Sequence, residues 1–293
     1  MERKEEGKTQ KQKKPLGQLL LCDVDGTLLI DGGVRPEDAA ALQRWKAAGN
    51  AFGLVTGRGA AFCRELCEEL RVNADVMVTD NGAEAWVEDK CIRRVWLDSS
   101  DIMRALEALN ACTLPGIPGD TRIWPDICVP FVTMPDGWHR FARRQMGQTA
   151  MDRVMKTQAH LRHFSAQDLE DLLQQEPAVP GISLHVWKDE DTARVLDLAR
   201  QAAPGLRWHQ TSHDYVEACG SDKAQALLAL LDAVDTGSVS YCGDGPNDIP
   251  VFDMLPDTWC MDTAPEFVKA RAANVTSGVD RVIERKLDHV EKA

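Results

Sequence analysis

Between residues 17 and 80 the chain alternates strand-like and helix-like segments, and the strand-like runs are largely apolar throughout instead of at every second position. Gln18 to Val24 reads as a buried strand, Pro36 to Ala48 as a helix with proline in its first turn, and Ala51 to Val55 as a second strand. Ala60 to Leu70 reads as a helix and Asp75 to Thr79 as a third strand before an Asn81-Gly82 turn. A strand that is apolar on both faces needs cover on both, and helical crossovers supply it. The pattern therefore predicts an α/β fold, a parallel sheet flanked by helices.

The alternation breaks and later resumes. Glu84 to Val87 and Cys91 to Leu97 read as a hairpin turning at Glu88-Asp89-Lys90, followed by a helix from Ser99 to Asn110. Ile127 to Thr133, Ile182 to Trp187, Leu206 to Gln210 and Tyr215 to Cys219 read as strands. Trp138 to Gln148, Ala166 to Gln175 and Glu190 to Ala202 read as helices. After Gly220 come a helix at Lys223 to Val234, a strand at Ser238 to Cys242, a short helix at Asn247 to Met254, a strand at Thr258 to Met261, and closing helices at Pro265 to Ala272 and Val279 to Val290. The expected division is a polar, disordered tail at 1–16, a core at 17–85 and 215–293, and an inserted α+β domain at 86–214.

Four clusters carry chemistry, and three of them follow apolar strands. Asp23-Val24-Asp25-Gly26-Thr27 places two carboxylates, two residues apart and so on one face, where a buried strand ends. In an open α/β sheet the carboxyl ends of strands are where ligands bind. A calcium loop would need a carboxylate at its twelfth position, where Val34 stands. Val55-Thr56-Gly57-Arg58 offers a hydroxyl and backbone N–H groups at a strand-to-helix turn, suited to an oxyanion or to a simple N-cap. Lys223 opens a helix, where the helix dipole opposes a cation unless an anion lies nearby. Gly243-Asp244-Gly245-Pro246-Asn247-Asp248 sets two more carboxylates in a glycine-bearing turn, and a hard divalent cation wants such oxygens.

In this order and spacing, the four blocks resemble those of the haloacid dehalogenase superfamily. An insert between the second and third blocks resembles the type-IIB cap of its Cof-like sugar phosphatases, and Asn81-Gly82-Ala83 looks like the tripeptide ahead of that cap. Asp222, beside Lys223, departs from the Ser-Lys pair of many relatives. The resemblance implies a Rossmann-like core with an inserted cap, and a Mg²⁺-dependent phosphatase acting on a small phosphorylated metabolite through an aspartyl-phosphate. It implies Asp23 as nucleophile, Asp25 as acid and base, and Thr56, Gly57, Lys223 and Asn247 as phosphate ligands. Asp23, Asp25 (through its backbone carbonyl), Asp244 and Asp248 would hold the metal. A phosphomutase would use the same core blocks, and a catalytically silent binding module is a third reading. A mutase needs a second phosphate site, which Arg140, Arg143 and Arg144 would offer from one face of the expected helix. Arg122, His185 and Lys188 are further candidates to read the leaving group.

A formal net charge of −12 disfavours nucleic acid or an anionic membrane as partner. The apolar run at Leu19 to Cys22 is too short to span a bilayer and lacks a signal-peptide cleavage site. Nine cysteines with no C-x-x-C read as reduced thiols of a cytoplasmic protein. The sequence carries no signal for an oligomeric state.

Overall fold

The computed structural model describes residues 14–111, 127–135, 139–142, 162–164 and 166–290. Its main sheet has eight strands. Strand β1 (Lys14–Cys22) lies at the centre, between β4 (Ala51–Val55) and β16 (Val234–Gly243). Beyond β4 come β5 (Val76–Thr79), β6 (Glu84–Val87) and β7 (Lys90–Arg94); beyond β16 come β17 (Thr258–Met261) and β18 (Asn274–Thr276). Pairing is parallel from β18 to β5, and antiparallel through β6 and β7. The chain winds outward from β1 in both directions, so the strand order reverses there, the place where an open α/β sheet forms its crevice.

The β1 residues alternate between two cores. Leu20 and Cys22 pack with Leu42, Trp45, Phe52 and Leu54 under helices α1 (Pro36–Ala47) and α2 (Ala60–Leu70). Leu19 and Leu21 pack with Leu227, Leu230 and Tyr241. Both faces are covered, which is why the strand has no polar side. A small hairpin, β2 (Leu29–Ile30) and β3 (Gly33–Val34), projects between β1 and α1.

A second sheet of six strands has its own apolar core, with Ile102, Val132, Leu184, Val195 and Trp208 among its members. Its strand order is β11 (Arg162–Phe164), β10 (His139–Ala142), β9 (Cys128–Thr133), β13 (Gly181–Val186), β15 (Tyr215–Cys219) and β14 (Trp208–Gln210). Helices α3 (Ser99–Ala111), α4 (Ala166–Gln175) and α5 (Thr192–Ala202) accompany it. A two-stranded ribbon pairs β8 (Leu97–Asp98) with β12 (Ala178–Val179).

Several expected boundaries move. Strand β1 starts at Lys14, inside the segment assigned to the tail, because Lys14 to Leu16 pair with the early part of β16. The hairpin β6–β7 extends the main sheet as far as Arg94, and β15 belongs to the second sheet. The sheets therefore divide near Val95 and Gly220, not after residue 85 and before 215. The segment expected as a helix from Trp138 is a strand where it is described, His139–Ala142, paired antiparallel to β9. Strand partners outweighed its local helical pattern. Arg140 therefore stands on a strand, and Arg143 and Arg144 lie outside the described residues, as do Arg122 and Cys112.

Candidate active site

The site is built at the carboxyl ends of β1, β4 and β16. Asp23 follows β1 directly and its backbone N–H donates to Cys242 O at 2.8 Å, which locks the two strand ends together. Gly26 then turns the chain with φ +80, a left-handed value that suits glycine. A Cβ at Gly26 would lie 2.2 Å from Asp244 Oδ2, so the first turn and the β16 turn touch across a gap only hydrogen can fill. Thr27 Oγ1 donates to Asp244 Oδ1 at 2.8 Å and fixes that carboxylate.

One carboxylate oxygen from each of Asp23, Asp244 and Asp248 lies within 4.8 Å of the other two. Lys223 enters this group from the start of helix α6 (Lys223–Leu231) and is 1% exposed. Its Nζ donates to Asp23 Oδ1 at 2.9 Å and to Asp248 Oδ1 at 2.6 Å. The anions that reconcile a lysine with a helix N-terminus are therefore these two carboxylates. Asp222 is the N-cap of that helix and accepts from Gln225 N at 2.8 Å, so the extra acid beside Lys223 serves the helix.

Asp248 is saturated. Its Oδ1 takes Lys223 and the Tyr241 hydroxyl, and its Oδ2 takes the N–H groups of Asp244 and Gly245 at 2.8 and 2.9 Å. Burial first, then the neighbouring Asp248 and Asp244 against the opposing pull of Lys223, holds Asp23 well above the usual carboxylate range. Burial and Asp248 push Asp244 to about 6. Two buried carboxylates, Asp23 and Asp248, and the half-buried Asp244 share one ammonium, so the cluster lacks positive charge. A hard divalent cation among these oxygens would supply it, and the donor set fits such an ion.

Asp25 lies apart from this trio. Its side chain is half-exposed, and the Arg58 guanidinium grips it with Nε and Nη2 at 2.8 and 2.7 Å while stacking over Phe62. Thr56 is buried, and its Oγ1 accepts from Arg58 N at 3.1 Å, pinning the turn after β4. Gly57 lies against Asn81, whose Nδ2 would be 2.9 Å from a Cβ there. Asn81 Oδ1 accepts from Asn247 Nδ2 at 2.9 Å. The structure thus brings Asp23, Lys223, Asp244 and Asp248 into direct contact or close approach, and sets Thr56, Gly57 and Asn247 around Asn81.

The second sheet meets the site at Glu217 on β15, which accepts from Asn81 Nδ2 and from Ser183 Oγ. The seam holds a small cleft lined by Gly57, Asp80 and Asn81 on one side and Thr133, Ser183 and Glu217 on the other. Asp80 and Asn81 both adopt left-handed backbone, φ 51 and 52, a conformation that Asp and Asn tolerate better than other residues with a side chain. His185, a candidate reader of the leaving group, is buried, with Nε2 3.2 Å from Asp214 and its ring stacked on Tyr215. Lys188 is exposed just beyond β13.

Sequence reasoning assigned no role to Arg58, Asn81, Tyr241 or Glu217. Arg58 and Asn81 stand inside quoted blocks, so they were within reach. Glu217 reads as an ordinary polar residue on a strand, and only the approach of the two sheets gives it a partner.

The fold has relatives among solved structures. A haloacid dehalogenase subclass IIB sugar phosphatase is 18% identical, with TM-score 0.67 over 94% of this chain and 99% of its own. A protein from Streptococcus mutans is 19% identical, with TM-score 0.72 over 92% and 98%. A haloacid dehalogenase superfamily phosphatase from Bacteroides thetaiotaomicron is 22% identical, with TM-score 0.70 over 92% and 95%. No curated protein sequence matches the chain significantly. Residues 20–281 match the sequence family of haloacid dehalogenase-like hydrolases, and the chain belongs to that family.

Proposed function

We propose that the chain is a Mg²⁺-dependent phosphatase that hydrolyses a small phosphorylated metabolite, a sugar phosphate or phosphorylated acid, through a phosphoenzyme at Asp23. The observation that carries this reading is the buried Lys223 ammonium 2.9 Å from Asp23 Oδ1, beside Asp244 and Asp248 at the end of the central strand. Asp23, Asp244, Asp248 and the backbone of Asp25 would hold the metal, whose charge would offset that of the phosphoryl group and bring it onto Asp23.

In this reading the Asp23 carboxylate attacks phosphorus and the substrate oxygen leaves. Lys223, the Thr56 hydroxyl, the Gly57 N–H and the Asn247 amide hold the phosphoryl oxygens. Asp25 gives its proton to the departing oxygen and later takes one from the water that releases phosphate. Asp25 must first let go of Arg58, so the Arg58–Asp25 pair is the resting arrangement. The domain carrying the second sheet, from Leu97 to Cys219, acts as the cap that covers the site and reads the leaving group. A sugar phosphatase with the same fold supports that substrate class. Free thiols at the described cysteines support a reducing, cytoplasmic setting.

The test is phosphate release from a panel of sugar phosphates, phosphoglycolate and related acids. Turnover of at least one member with Mg²⁺, abolished by chelation and restored by added Mg²⁺, is expected. Turnover that survives exhaustive chelation, or no release from any member, contradicts the reading.

A further inference from the structure

Two strands of the second sheet turn a polar face toward the catalytic end of the main sheet. On β13, Ile182, Leu184 and Val186 sit in the apolar core, so Ser183 points to the other side. On β15, Val216 and Ala218 do the same and leave Glu217 in register with Ser183. Ser183 Oγ donates to Glu217 Oε1 at 3.0 Å, and Asn81 Nδ2 donates to Oε2. From the main sheet, Asp80 lines the same cleft, as does Gly57 beside Thr56.

Asp80 is out of balance. It is 9% exposed, and its Oδ1 accepts no hydrogen bond. A buried carboxylate oxygen left in this way costs more than an ordinary unmade hydrogen bond. No Lys, Arg or His is among the described residues lining the cleft. Three neighbouring cations are committed elsewhere: Lys223 to Asp23 and Asp248, Arg58 to Asp25, and Arg94 to Glu84. The cleft thus holds two carboxylates with no counter-charge of their own, and one of them has an unfilled acceptor.

Size and chemistry select an occupant. The cleft has room for a group about the size of one water molecule. A water or a hydroxyl would donate to Asp80 but leave both charges standing, and a carboxylate or second phosphate would be repelled. A quaternary ammonium has no donor to give. A primary ammonium brings three donors and a positive charge, and so answers both needs. We propose that the leaving group of the substrate carries a primary ammonium, which binds between Asp80 and Glu217. This rests on the phosphatase reading and narrows it to phosphomonoesters of amino sugars or amino alcohols. Asp80 then carries a charge that the substrate completes.

The experiment pairs molecules that differ in one group, as sulfate esters, so that binding is read without turnover. Calorimetric titration into the full chain with Mg²⁺ near neutral pH compares 2-aminoethyl sulfate with 2-hydroxyethyl sulfate, and glucosamine 6-sulfate with glucose 6-sulfate. In at least one pair the amino ester should bind about tenfold more tightly, the scale of one charge-assisted hydrogen bond. Asp80→Asn and Glu217→Gln each keep the shape of the side chain and remove its charge, and in both the preference should fall. Equal binding within each pair, binding of no ester, or a preference unchanged in both variants overturns the proposal. The corresponding phosphates separate this from the function above. Phosphate released from both members of each pair at equal kcat/KM overturns the ammonium site and leaves the phosphatase. Preferential binding of an amino ester with no release from any phosphate supports the site and counts against the phosphatase.

Discussion

Lys223 Nζ and Asp23 Oδ1 lie 2.9 Å apart although 200 residues separate them in sequence, and both side chains are buried. Replacing the lysine with methionine would leave Asp23 and Asp248 facing each other without their counter-charge. Breaking a buried pair in this way costs about 3–5 kcal/mol. Lys223→Met should therefore unfold much more easily in chelator, recover part of the loss with Mg²⁺, and lose turnover in both. Denaturant unfolding with and without Mg²⁺ checks this, and equal stability of wild type and variant in chelator would be the wrong outcome.

Two glycines with nearly equal backbone angles should behave differently. Gly26 and Gly32 have φ +80 and +79, but a Cβ at Gly26 meets Asp244 at 2.2 Å whereas none is met within 4 Å at Gly32. Gly32→Ala should show only backbone strain, about 1 kcal/mol, and keep its metal affinity. Gly26→Ala must also displace the Asp244 carboxylate and, if the proposed function holds, should lose divalent-cation binding. Calorimetric titration of Mg²⁺ into both variants separates the effects.

Asp80 gives a stability prediction with a definite sign. Burial and the nearby Glu84 raise it to about 7 in the folded chain, above its value of about 4 in an unfolded one. The folded state therefore binds the proton more tightly. That stabilisation is full below pH 4 and fades as pH rises through 7. Asn lacks the buried charge and accepts left-handed backbone. Asp80→Asn should thus be nearly neutral at pH 4 and stabilising at pH 8, on the order of 2 kcal/mol. A stability difference that does not grow with pH would refute this.

Asp25→Asn should slow poor leaving groups more than good ones. Losing a general acid costs roughly 10²–10⁴-fold for an ordinary alkoxide, while nitrophenolate needs little protonation. Comparing phosphorylation rates on a sugar phosphate and on nitrophenyl phosphate checks the role. Equal losses would show that the residue serves mainly to hold Arg58.

The core was legible because its signals are local. An apolar strand ending in Asp23, or a glycine turn bearing Asp244 and Asp248, is visible without knowing what packs on it. The hairpin β2–β3 and the edge strand β18 were missed because two- and three-residue strands carry too little pattern. His139–Ala142 was read as helical because short segments take their state from their partners, here β9. Glu217 was invisible for a related reason. A buried carboxyl group can be recognised only from what surrounds it, and its partners Asn81 and Ser183 come from distant parts of the chain.

The central claim is that Asp23 carries the phosphoryl group. A rapid acid quench during turnover of the best substrate from the panel, followed by mapping of phosphorylated peptides, tests it most directly. The account predicts phosphate on the peptide containing Asp23, gone after a chase in excess water and absent in Asp23→Asn. Phosphate release with no covalent intermediate under conditions where hydrolysis of one would limit the rate, or phosphate on any other residue, would contradict it.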